Sequence, residues 1–420
     1  MSVSVVYVLN MRKQPLMTTS QRKARKLLKK GEAVVYKRTP FTIQLTRYSG
    51  ETKQKIVLGV DSGYENIGLS ARTENKEVYS CEVKLRTDMV KLNSERKIYR
   101  KMRRNRKTRY RKARFLNRGI PKGWLAPSIK HKLNSHIKLI QDVYKILPIS
   151  EIILETANFD IQKIKNPDIK GGEYQKGEQF GFDNNVKAYV RHRDGYKCKH
   201  CKKHKDKRLE VHHITSSQTG GNRPENLVLL CKECHDLHHK GGIKLKVSKT
   251  KGYAAETFMS IVRKRMIDEL RELGYKVTET FGYITSKNRK ELGLEKTHYN
   301  DAFAINEVLF TSKGTNQSRS QTYYVKQIRS QNRKLFKGSR SEIKNKCPRV
   351  MFGFQQYDKV LYKGIECFIY ARRISGYFDI RALSGEKIGS CVSYKKLKLL
   401  ENRSTFLCSV AGFNTHSYQK

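Results

Sequence analysis

Two pairs of closely spaced cysteines bracket the part of the chain that is richest in residues able to do chemistry. Each pair has the spacing Cys-x-x-Cys, and the four thiols are those of Cys198, Cys201, Cys231 and Cys234. Four sulfur ligands at this spacing favour one tetrahedral Zn²⁺ of the structural kind. The simplest interpretation is therefore a zinc ribbon, which leaves the histidines of the same segment unexplained.

Histidines and one asparagine form a second pattern in this segment. His212 and His213 are consecutive in a predicted strand, and His235 and His239 lie four apart on one face of a predicted helical turn. With Asn226 between them, they resemble the His-Asn-His (HNH) nuclease family, in which a ββα hairpin holds one divalent metal ion. The resemblance implies a general base at His213 and a loop-bracing residue at Asn226. It also implies that His212 and His235 are ligands of that ion, expected to be Mg²⁺, with His239 either a further ligand or a helix-surface residue.

Three acids far apart in the sequence form another candidate site. Asp61 ends an apolar strand, Glu155 ends the strand E-I-I-L-E, and Asp301 follows His298 by three residues on one helical face. Each acid alone is unremarkable, because aspartates commonly begin turns. As an ordered set they resemble the RuvC motifs of ribonuclease-H-like nucleases. The resemblance implies that the three carboxylates hold two Mg²⁺ ions, or Mn²⁺ in their place, with His298 activating water or binding metal.

The net charge points to a polyanionic partner. The chain of 420 residues has 88 Lys and Arg against 38 Asp and Glu, a formal charge of +50. This excess opposes folding through self-repulsion, so it indicates nucleic acid bound over a large area. A membrane surface is the competing polyanion, but the sequence shows no apolar stretch long enough to span a bilayer and no signal peptide. The five remaining cysteines lack disulfide-like spacing, so we expect a cytoplasmic protein.

Residues 95–118 carry the densest positive charge. This stretch has thirteen Lys and Arg, one acid and no Gly or Pro, and predicts a helix with arginine on every face. A solvated helix would mix charges of both signs, whereas this one suits a rod held between phosphate backbones. Its composition and position resemble the bridge helix of the IscB family and of type II CRISPR effectors. The candidates for guide-RNA contacts are Arg103, Arg104, Arg106 and Arg109.

The two ends of the chain extend the resemblance to the IscB family. The N-terminal text P-L-M-T at residues 15–18 resembles the family's P-L-M-P module, with Thr18 in place of the last proline. Short alternating segments after residue 346 predict a small β-domain like the family's target-motif-interacting region. The predicted domains are 1–52 (N-terminal module), 53–94, 121–165 and 241–310 (three RuvC parts), 95–120 (bridge helix), 166–184 (linker), 185–240 (HNH) and 311–420 (C-terminal domain).

Together these motifs predict a multidomain α+β chain. It combines a split RuvC domain with its bridge helix, an inserted HNH domain with a zinc knuckle, and a C-terminal β-domain. The IscB resemblance implies an RNA-guided double-strand DNA endonuclease in a 1:1 complex with a structured guide (ω) RNA. The HNH site would cut the guide-paired strand and the RuvC site the displaced strand, next to a flanking motif read by the protein. The alternatives are an RNA-guided binder or nickase with an idle site, and an RNA-independent homing-type HNH endonuclease.

Overall fold

The computed structural model describes residues 5–104, 124–157, 186–202, 208–214, 226–243, 254–310, 318–329 and 348–410. Its contacts divide the chain into two compact units, one of Met1–Ala157 with Phe258–Lys420 and one of Asn158–Thr257. Both units combine helices and strands, so the predicted α+β class is confirmed. Among the described helices, none is both long and apolar enough to cross a membrane.

A small sheet beside a basic helix forms the N-terminal module of the first unit. The elements are β1 (Val5–Leu9), β2 (Thr19–Ser20), α1 (Gln21–Lys29), β3 (Ala33–Lys37) and β4 (Thr42–Leu45), with strand order β2-β1-β4-β3. Ser20 begins the helix because its side chain accepts a hydrogen bond from the Lys23 N–H. Gly31 follows the helix with φ 73°, a conformation that glycine adopts without strain. Ala24 packs the helix onto the sheet beside Ile43.

The largest sheet of the first unit has seven strands. These are β5 (Val57–Ser62), β6 (Asn66–Arg72), β7 (Glu77–Lys84), β8 (Glu151–Ala157), β11 (Val277–Phe281), β12 (Thr322–Gln327) and β18 (Phe406–Ser409). Their order is β11-β8-β5-β6-β7-β12-β18. Strands β5, β6 and β7 form an antiparallel meander, while β8 and β11 extend it in parallel from β5.

Two strands of this sheet come from residues that the sequence assigned to the C-terminal domain. Strand β12 pairs in parallel with β7, and β18 pairs antiparallel with β12. The predicted boundary at residue 311 therefore does not coincide with the end of the sheet. The two strands are only 6 and 4 residues long, so their own sequence carries little pattern. Pairing with an edge already formed by β7 decides their place.

Helices cover both faces of the seven-stranded sheet. They are α3 (Pro127–Tyr144), α6 (Ala254–Glu272), α7 (Gly282–Glu291) and α8 (His298–Ile305), whereas α2 (Met89–Arg104) follows β7 along the chain. Leu58 and Val60 of β5 belong to the core shared with α3 and α6. The alternate residue Val57 contacts Ile305 of α8 on the other face. Because side chains alternate along a strand, Asp61 lies on the α8 face.

The arginine-rich segment is described only in part. Helix α2 begins at Met89, six residues before the predicted start, and is described as far as Arg104. Residues 105–118, including Arg106 and Arg109, lie outside the described residues, as do the side chains of Arg103 and Arg104. The predicted linker 166–184 also lies outside them. Guide-RNA contacts at the four arginines therefore stay a prediction.

The second unit contains a ββα hairpin. Its described elements are α4 (Val186–Arg193), β9 (Leu209–His213), β10 (Leu227–Cys231) and α5 (Lys232–His239). Strands β9 and β10 pair antiparallel, with His212 opposite Val228. Buried Asp194 ties the end of α4 to the hairpin, because its carboxylate accepts a hydrogen bond from the Leu229 N–H at 3.0 Å.

A five-stranded antiparallel sheet forms the C-terminal part of the first unit. Its strands are β13 (Lys359–Tyr362), β14 (Ile365–Arg372), β15 (Tyr377–Arg381), β16 (Lys387–Ser393) and β17 (Lys398–Glu401), in the order β16-β15-β14-β13-β17. Val360, Phe378 and Ile380 lie in its core. Buried Lys359 attaches this sheet to the N-terminal module, donating to the Thr39 hydroxyl at 3.1 Å.

Candidate nuclease sites

Three histidines meet at the ββα hairpin. His212 comes from β9, and His235 and His239 come from successive turns of α5, where residues four apart share a face. One ligand atom from each ring lies within 4.8 Å of those from the other two. The ring centroid of His212 is 5.0 Å from that of His235 and 5.1 Å from that of His239. The structure thus brings together His212 and His235, the two ligands that the HNH resemblance implied, and His239, whose role the sequence left open.

His212 has the neutral ring that metal binding requires. Burial, and next the neighbouring imidazole of His235, lower the pKa of His212 to about 4. A neutral imidazole presents a lone pair to an ion, whereas a protonated one repels it. Glu210 Oε2 lies 3.5 Å from Nδ1 of His235, which adds negative charge beside the group without a hydrogen bond to that ring. The donor set fits a divalent ion, and imidazole nitrogens suit transition metals better than Mg²⁺.

His213 and Asn226 lie beside this group. His213 is the last residue of β9, is half-buried, and is not one of the three mutually close ligands. Asn226 is 8% exposed, and its backbone carbonyl accepts a hydrogen bond from the Ile214 N–H at 2.8 Å. Asn226 therefore closes the hairpin directly after His213. Their assignments as general base and loop brace stay predictions.

One histidine of this site was missed by the sequence interpretation. The ring of His238 lies 4.9 Å from that of His212, almost perpendicular to it. Its Nδ1 is 2.8 Å from the carbonyl oxygen of Ile243, which fixes the ring. His238 follows His235 by three residues, and three-residue spacing also places side chains on one helical face. That spacing was the signal that could have found it.

The four cysteines of the second unit form another close group. Their four sulfur atoms all lie within 4.8 Å of one another, and the Sγ atoms of Cys201 and Cys231 are 3.9 Å apart. Burial opposes ionisation of Cys198, but backbone N–H groups, including those of Cys201 and Cys231, bring the pKa of its thiol down to about 7. A thiolate is the form that binds metal. This donor set fits a structural Zn²⁺.

The second candidate site lies on the α8 face of the seven-stranded sheet. Strands β5 and β8 pair in parallel with Val60 opposite Leu154, so the next residues, Asp61 and Glu155, are neighbours on one face. Burial, followed by the charge of Asp61, raises the pKa of Glu155 to about 7. Two adjacent carboxylates cannot easily both ionise without a cation between them. This face is therefore a site of concentrated negative charge.

Helix α8 brings the third acid and a histidine to the same face. His298 Nδ1 lies 2.7 Å from Asp61 Oδ2, which, as the leading cause, raises the pKa of His298. Asp301 lies one turn further on, with Arg289 Nε 2.7 Å from its Oδ1. Burial and then the charge of Asp61 raise the pKa of Asp301. Among the described residues, the three carboxylates are not a group with every ligand atom within 4.8 Å.

A glycine lets α8 approach the sheet closely enough to deliver these side chains. A Cβ atom on Gly68 would lie 1.8 Å from the carbonyl oxygen of His298. Gly59 has a similar close approach, because a Cβ there would lie 2.2 Å from the carbonyl oxygen of Ala302. Any larger residue at Gly68 would push the start of α8 away from Asp61. The sequence pattern around Gly59 and Gly68 gives no sign that a helix packs directly against these two glycines.

Cations missed by the sequence interpretation hold the backbone around Asp61. Arg263 donates to the backbone carbonyl of Ser62 at 2.8 Å and to its hydroxyl at 3.1 Å. Lys132 of α3 is 4% exposed and donates to the backbone carbonyls of Tyr64 at 2.7 Å and Arg86 at 3.0 Å. Arg86 precedes α2, so Lys132 joins the turn after Asp61 to the base of the arginine-rich helix. Arg263 and Lys132 lie on amphipathic helices, where a basic residue is ordinarily expected on the solvent-exposed face. The sequence alone therefore did not indicate that they contact the backbone near Asp61.

A fourth carboxylate lies on the same face. Gly68 pairs with Asp61 on one side and with Glu82 of β7 on the other. Burial, as the largest cause, raises the pKa of Glu82, with His298 opposing and Asp61 adding to the shift. The negative face therefore extends from Glu155 on β8, across β5 and β6, to Glu82 on β7.

Comparison with known proteins supports the nuclease interpretation. Residues 198–241 match the family model described as HNH endonuclease, and residues 6–177 match the one described as RRXRR protein. The first match identifies the ββα hairpin region as an HNH endonuclease domain. Together the two matches confirm the resemblance to IscB- and Cas9-like nucleases that the motifs indicated.

Solved structures with similarity to this chain include Streptococcus thermophilus Cas9 in complex with AGGA PAM. That comparison has 14% identity and a TM-score of 0.31, and covers 51% of this chain and 30% of the Cas9 chain. The same protein in complex with the AGAA PAM gives 17% identity and a TM-score of 0.32, with 50% and 30% covered. This chain thus spans under a third of the Cas9 chains that it matches. No curated protein matches it.

Proposed function

We propose that this chain is an RNA-guided DNA endonuclease with two nuclease sites of different chemistry. The observation that carries the proposal is the presence in one chain of two separate ligand groups. One is the three-histidine group of an HNH domain, and the other is the carboxylate face joined by α8. Two sites suit a substrate with two strands, and the charge of +50 suits a nucleoprotein.

At the histidine site, His212, His235 and His239 would hold one divalent ion. The ion would stabilise the negative charge that develops on the scissile phosphate. His213 would accept the proton of the attacking water through an imidazole nitrogen. Asn226 would keep the hairpin end that carries His213 in place. We assign the guide-paired strand to this site.

At the carboxylate site, Asp61, Glu155 and Asp301 would hold two divalent ions. Such a pair stabilises the attacking and leaving oxygens of a phosphodiester. Burial, followed in each case by the charge of Asp61, raises the pKa values of Glu155 and Asp301, so a bound divalent cation would stabilise their charged forms. His298, hydrogen-bonded to Asp61, would orient that carboxylate or accept a proton from water. We assign the displaced strand to this site.

Nucleic-acid guidance is assigned to the basic helix that leaves the sheet. Helix α2 is described as far as Arg104, and we propose that Arg103, Arg104, Arg106 and Arg109 grip guide-RNA phosphates. The domain boundaries given by the sequence are proposed with one change, because strands β12 and β18 join the RuvC-like sheet.

Strand-specific cutting tests this function. His213→Ala should stop cutting of the guide-paired strand, and Asp61→Ala should stop cutting of the displaced strand, each by about 10²–10⁴-fold. The measurement is cleavage of a duplex with each strand labelled separately, with the RNA that co-purifies with the protein. The double variant should cut neither strand. Equal loss of both cuts in either single variant would contradict two independent sites.

One contact favours a second candidate, a guided nickase whose carboxylate site is idle. Arg289 lies 2.7 Å from Asp301 and is only 13% exposed, so a protein cation already neutralises one of the three acids. In that case the wild-type protein would cut only the guide-paired strand. Arg289→Gln would then restore cutting of the displaced strand, whereas under the two-site proposal it would change that rate little or lower it.

A further inference from the structure

A strained turn lies at the edge of the C-terminal sheet. Met351 and Phe354 exchange both backbone hydrogen bonds at 2.9 Å, so Phe352 and Gly353 are the two central residues of a hairpin turn. Their φ angles are 50° and 82°. A turn with two positive φ angles favours Asn, Asp or Gly, and a bulky side chain there is an outlier. Such strain persists where the residue has a function.

The strained residue presents an aromatic ring to solvent. The ring of Phe352 stacks on that of Tyr394, with centroids 4.2 Å apart and planes 15° from parallel. Gly376 makes room for both rings, since a Cβ there would lie 3.0 Å from Tyr394 and 3.4 Å from Phe352. Phe352 nevertheless stays 48% exposed, as does neighbouring Tyr377 at 47%. We call the stacked pair Phe352 and Tyr394 the aromatic ledge.

The surroundings of the aromatic ledge are positively charged. The three turns that form it, residues 349–354, 373–377 and 394–396, contain no acidic residue. Their basic residues are all exposed: Arg349, Arg373, Lys395 and Lys396. Arg373 lies 3.8 Å from Oδ1 of Asp379, so the other three carry most of the positive charge. An apolar ring with a cationic rim complements a nucleotide, whose base stacks while its phosphate meets the cations.

We propose that the aromatic ledge binds an unpaired nucleobase of single-stranded RNA. This inference rests on the RNA partner of the proposed function and adds a specific contact site to it. RNA is the favoured source because its loops and bulges hold unstacked bases in the nucleoprotein itself, whereas the displaced DNA strand becomes single-stranded only after the target duplex opens. Stacking on Phe352 is tolerant of base identity, so the site recognises a single-stranded conformation and not a sequence.

The substitution Phe352→Asn separates binding from packing. Asn is favoured in this turn, so the variant should keep or raise the melting temperature of the protein while removing the exposed ring. The probe is a short adenine-rich RNA with one central 4-thiouridine, used at high salt to weaken phosphate contacts. We expect binding about ten-fold weaker than for the wild type. We also expect loss of the photocrosslink that mass spectrometry assigns to the Phe352 peptide.

Further variants test whether the exposed ring itself binds the RNA. Phe352→Trp should retain the crosslink, and Tyr394→Leu should weaken binding while keeping apolar support under the turn. Ile374→Ala is the matched control, because Ile374 lies in the same surface, 65% exposed, without a ring. Unchanged RNA binding with a lower melting temperature in Phe352→Asn would show that the ring serves packing only. Equal crosslinking of a 4-thiothymidine DNA would overturn the RNA assignment.

The readouts distinguish this inference from the nuclease proposal. Binding and crosslinking of the short RNA require no DNA cleavage. A protein that cuts guided DNA but gives no crosslink at the aromatic ledge would overturn the inference alone. A protein that gives the crosslink but cuts no DNA would overturn the proposed function alone.

Discussion

The histidine site and the carboxylate site differ in how the chain builds them. The histidine site comes from one hairpin and the helix that follows it, and its donors are imidazole nitrogens. The carboxylate site joins residues as far apart as Asp61 and His298, which are 237 positions apart and 2.7 Å from each other. One site depends on local folding, and the other on the assembly of a whole sheet.

The same comparison explains why basic side chains lie beside the carboxylates. Neutral imidazoles can gather without counter-charge, provided that burial keeps them unprotonated, as it does for His212. Clustered carboxylates repel one another, so Asp301 has Arg289 and Asp61 has His298 beside it. The hairpin of the histidine site is small and needs another source of rigidity. A metal ion bound by the four cysteines would supply that rigidity. Each site should therefore fail in its own way.

Loss of the cysteine group should have the largest effect. In the variant Cys198→Ser/Cys231→Ser, zinc should be absent and the hairpin unfolded, because metal binding here contributes directly to folding. Cutting of the guide-paired strand should disappear while cutting of the displaced strand continues. Metal analysis and strand-labelled cleavage measure both. Full zinc content in the variant would remove the structural role from these cysteines.

A methyl group on Gly68 should break only the carboxylate site. Gly68→Ala would place a carbon 1.8 Å from the His298 carbonyl, which moves α8 and its Asp301. Displacement of about an ångström costs roughly 10²-fold in rate, so displaced-strand cutting should fall by that factor. Gly50→Ala is the control, because nothing lies within 4 Å of the added atom. Unchanged cutting by Gly68→Ala would mean that α8 does not position this site.

Removing the amine of Lys132 should have a smaller effect on the same site. Lys132→Met leaves the buried carbonyls of Tyr64 and Arg86 without their donor, which loosens the turn after Asp61 and the base of α2. We expect about ten-fold slower displaced-strand cutting and faster amide exchange in residues 64–66 and 86–92. Lys132→Arg should restore much of the rate.

The matched control for Lys132 is Lys138→Met, the same change at an exposed position of α3. Its cleavage and amide exchange should equal those of the wild type. If Lys132→Met left exchange in both segments unaltered, the link between α2 and the Asp61 turn would be wrong.

The choice of metal should give the smallest and most informative difference. Imidazole donors favour Ni²⁺ over Mg²⁺, whereas carboxylates accept Mg²⁺ readily. In titrations of wild-type protein, Ni²⁺ should reach half-maximal guide-paired cutting at a lower concentration than Mg²⁺. The displaced-strand cut should show less preference. The same metal order at both strands would argue against two different ligand sets.

Local sequence alone determined the parts of this protein that depend on spacing along one element. Ring nitrogens at positions 235 and 239 meet because helical residues four apart share a face, and two Cys-x-x-Cys pairs need only one hairpin to converge. The charge of +50 likewise follows from composition. These patterns indicated the HNH domain and a nucleic-acid partner, and the family-model matches agree.

Only the tertiary structure decided what surrounds the carboxylates. Strand pairing placed β12 and β18 in the sheet and aligned Glu82 with Gly68. The close approach of α8 to Gly68, where an added Cβ would lie 1.8 Å from the His298 carbonyl oxygen, depends on which helix packs on which face. The same is true of the hydrogen bonds that buried Lys132 donates. Neither leaves a periodic signal in the chain, because the partners are far apart in sequence. Contacts of this kind arise from packing among distant segments, and only the folded chain specifies them.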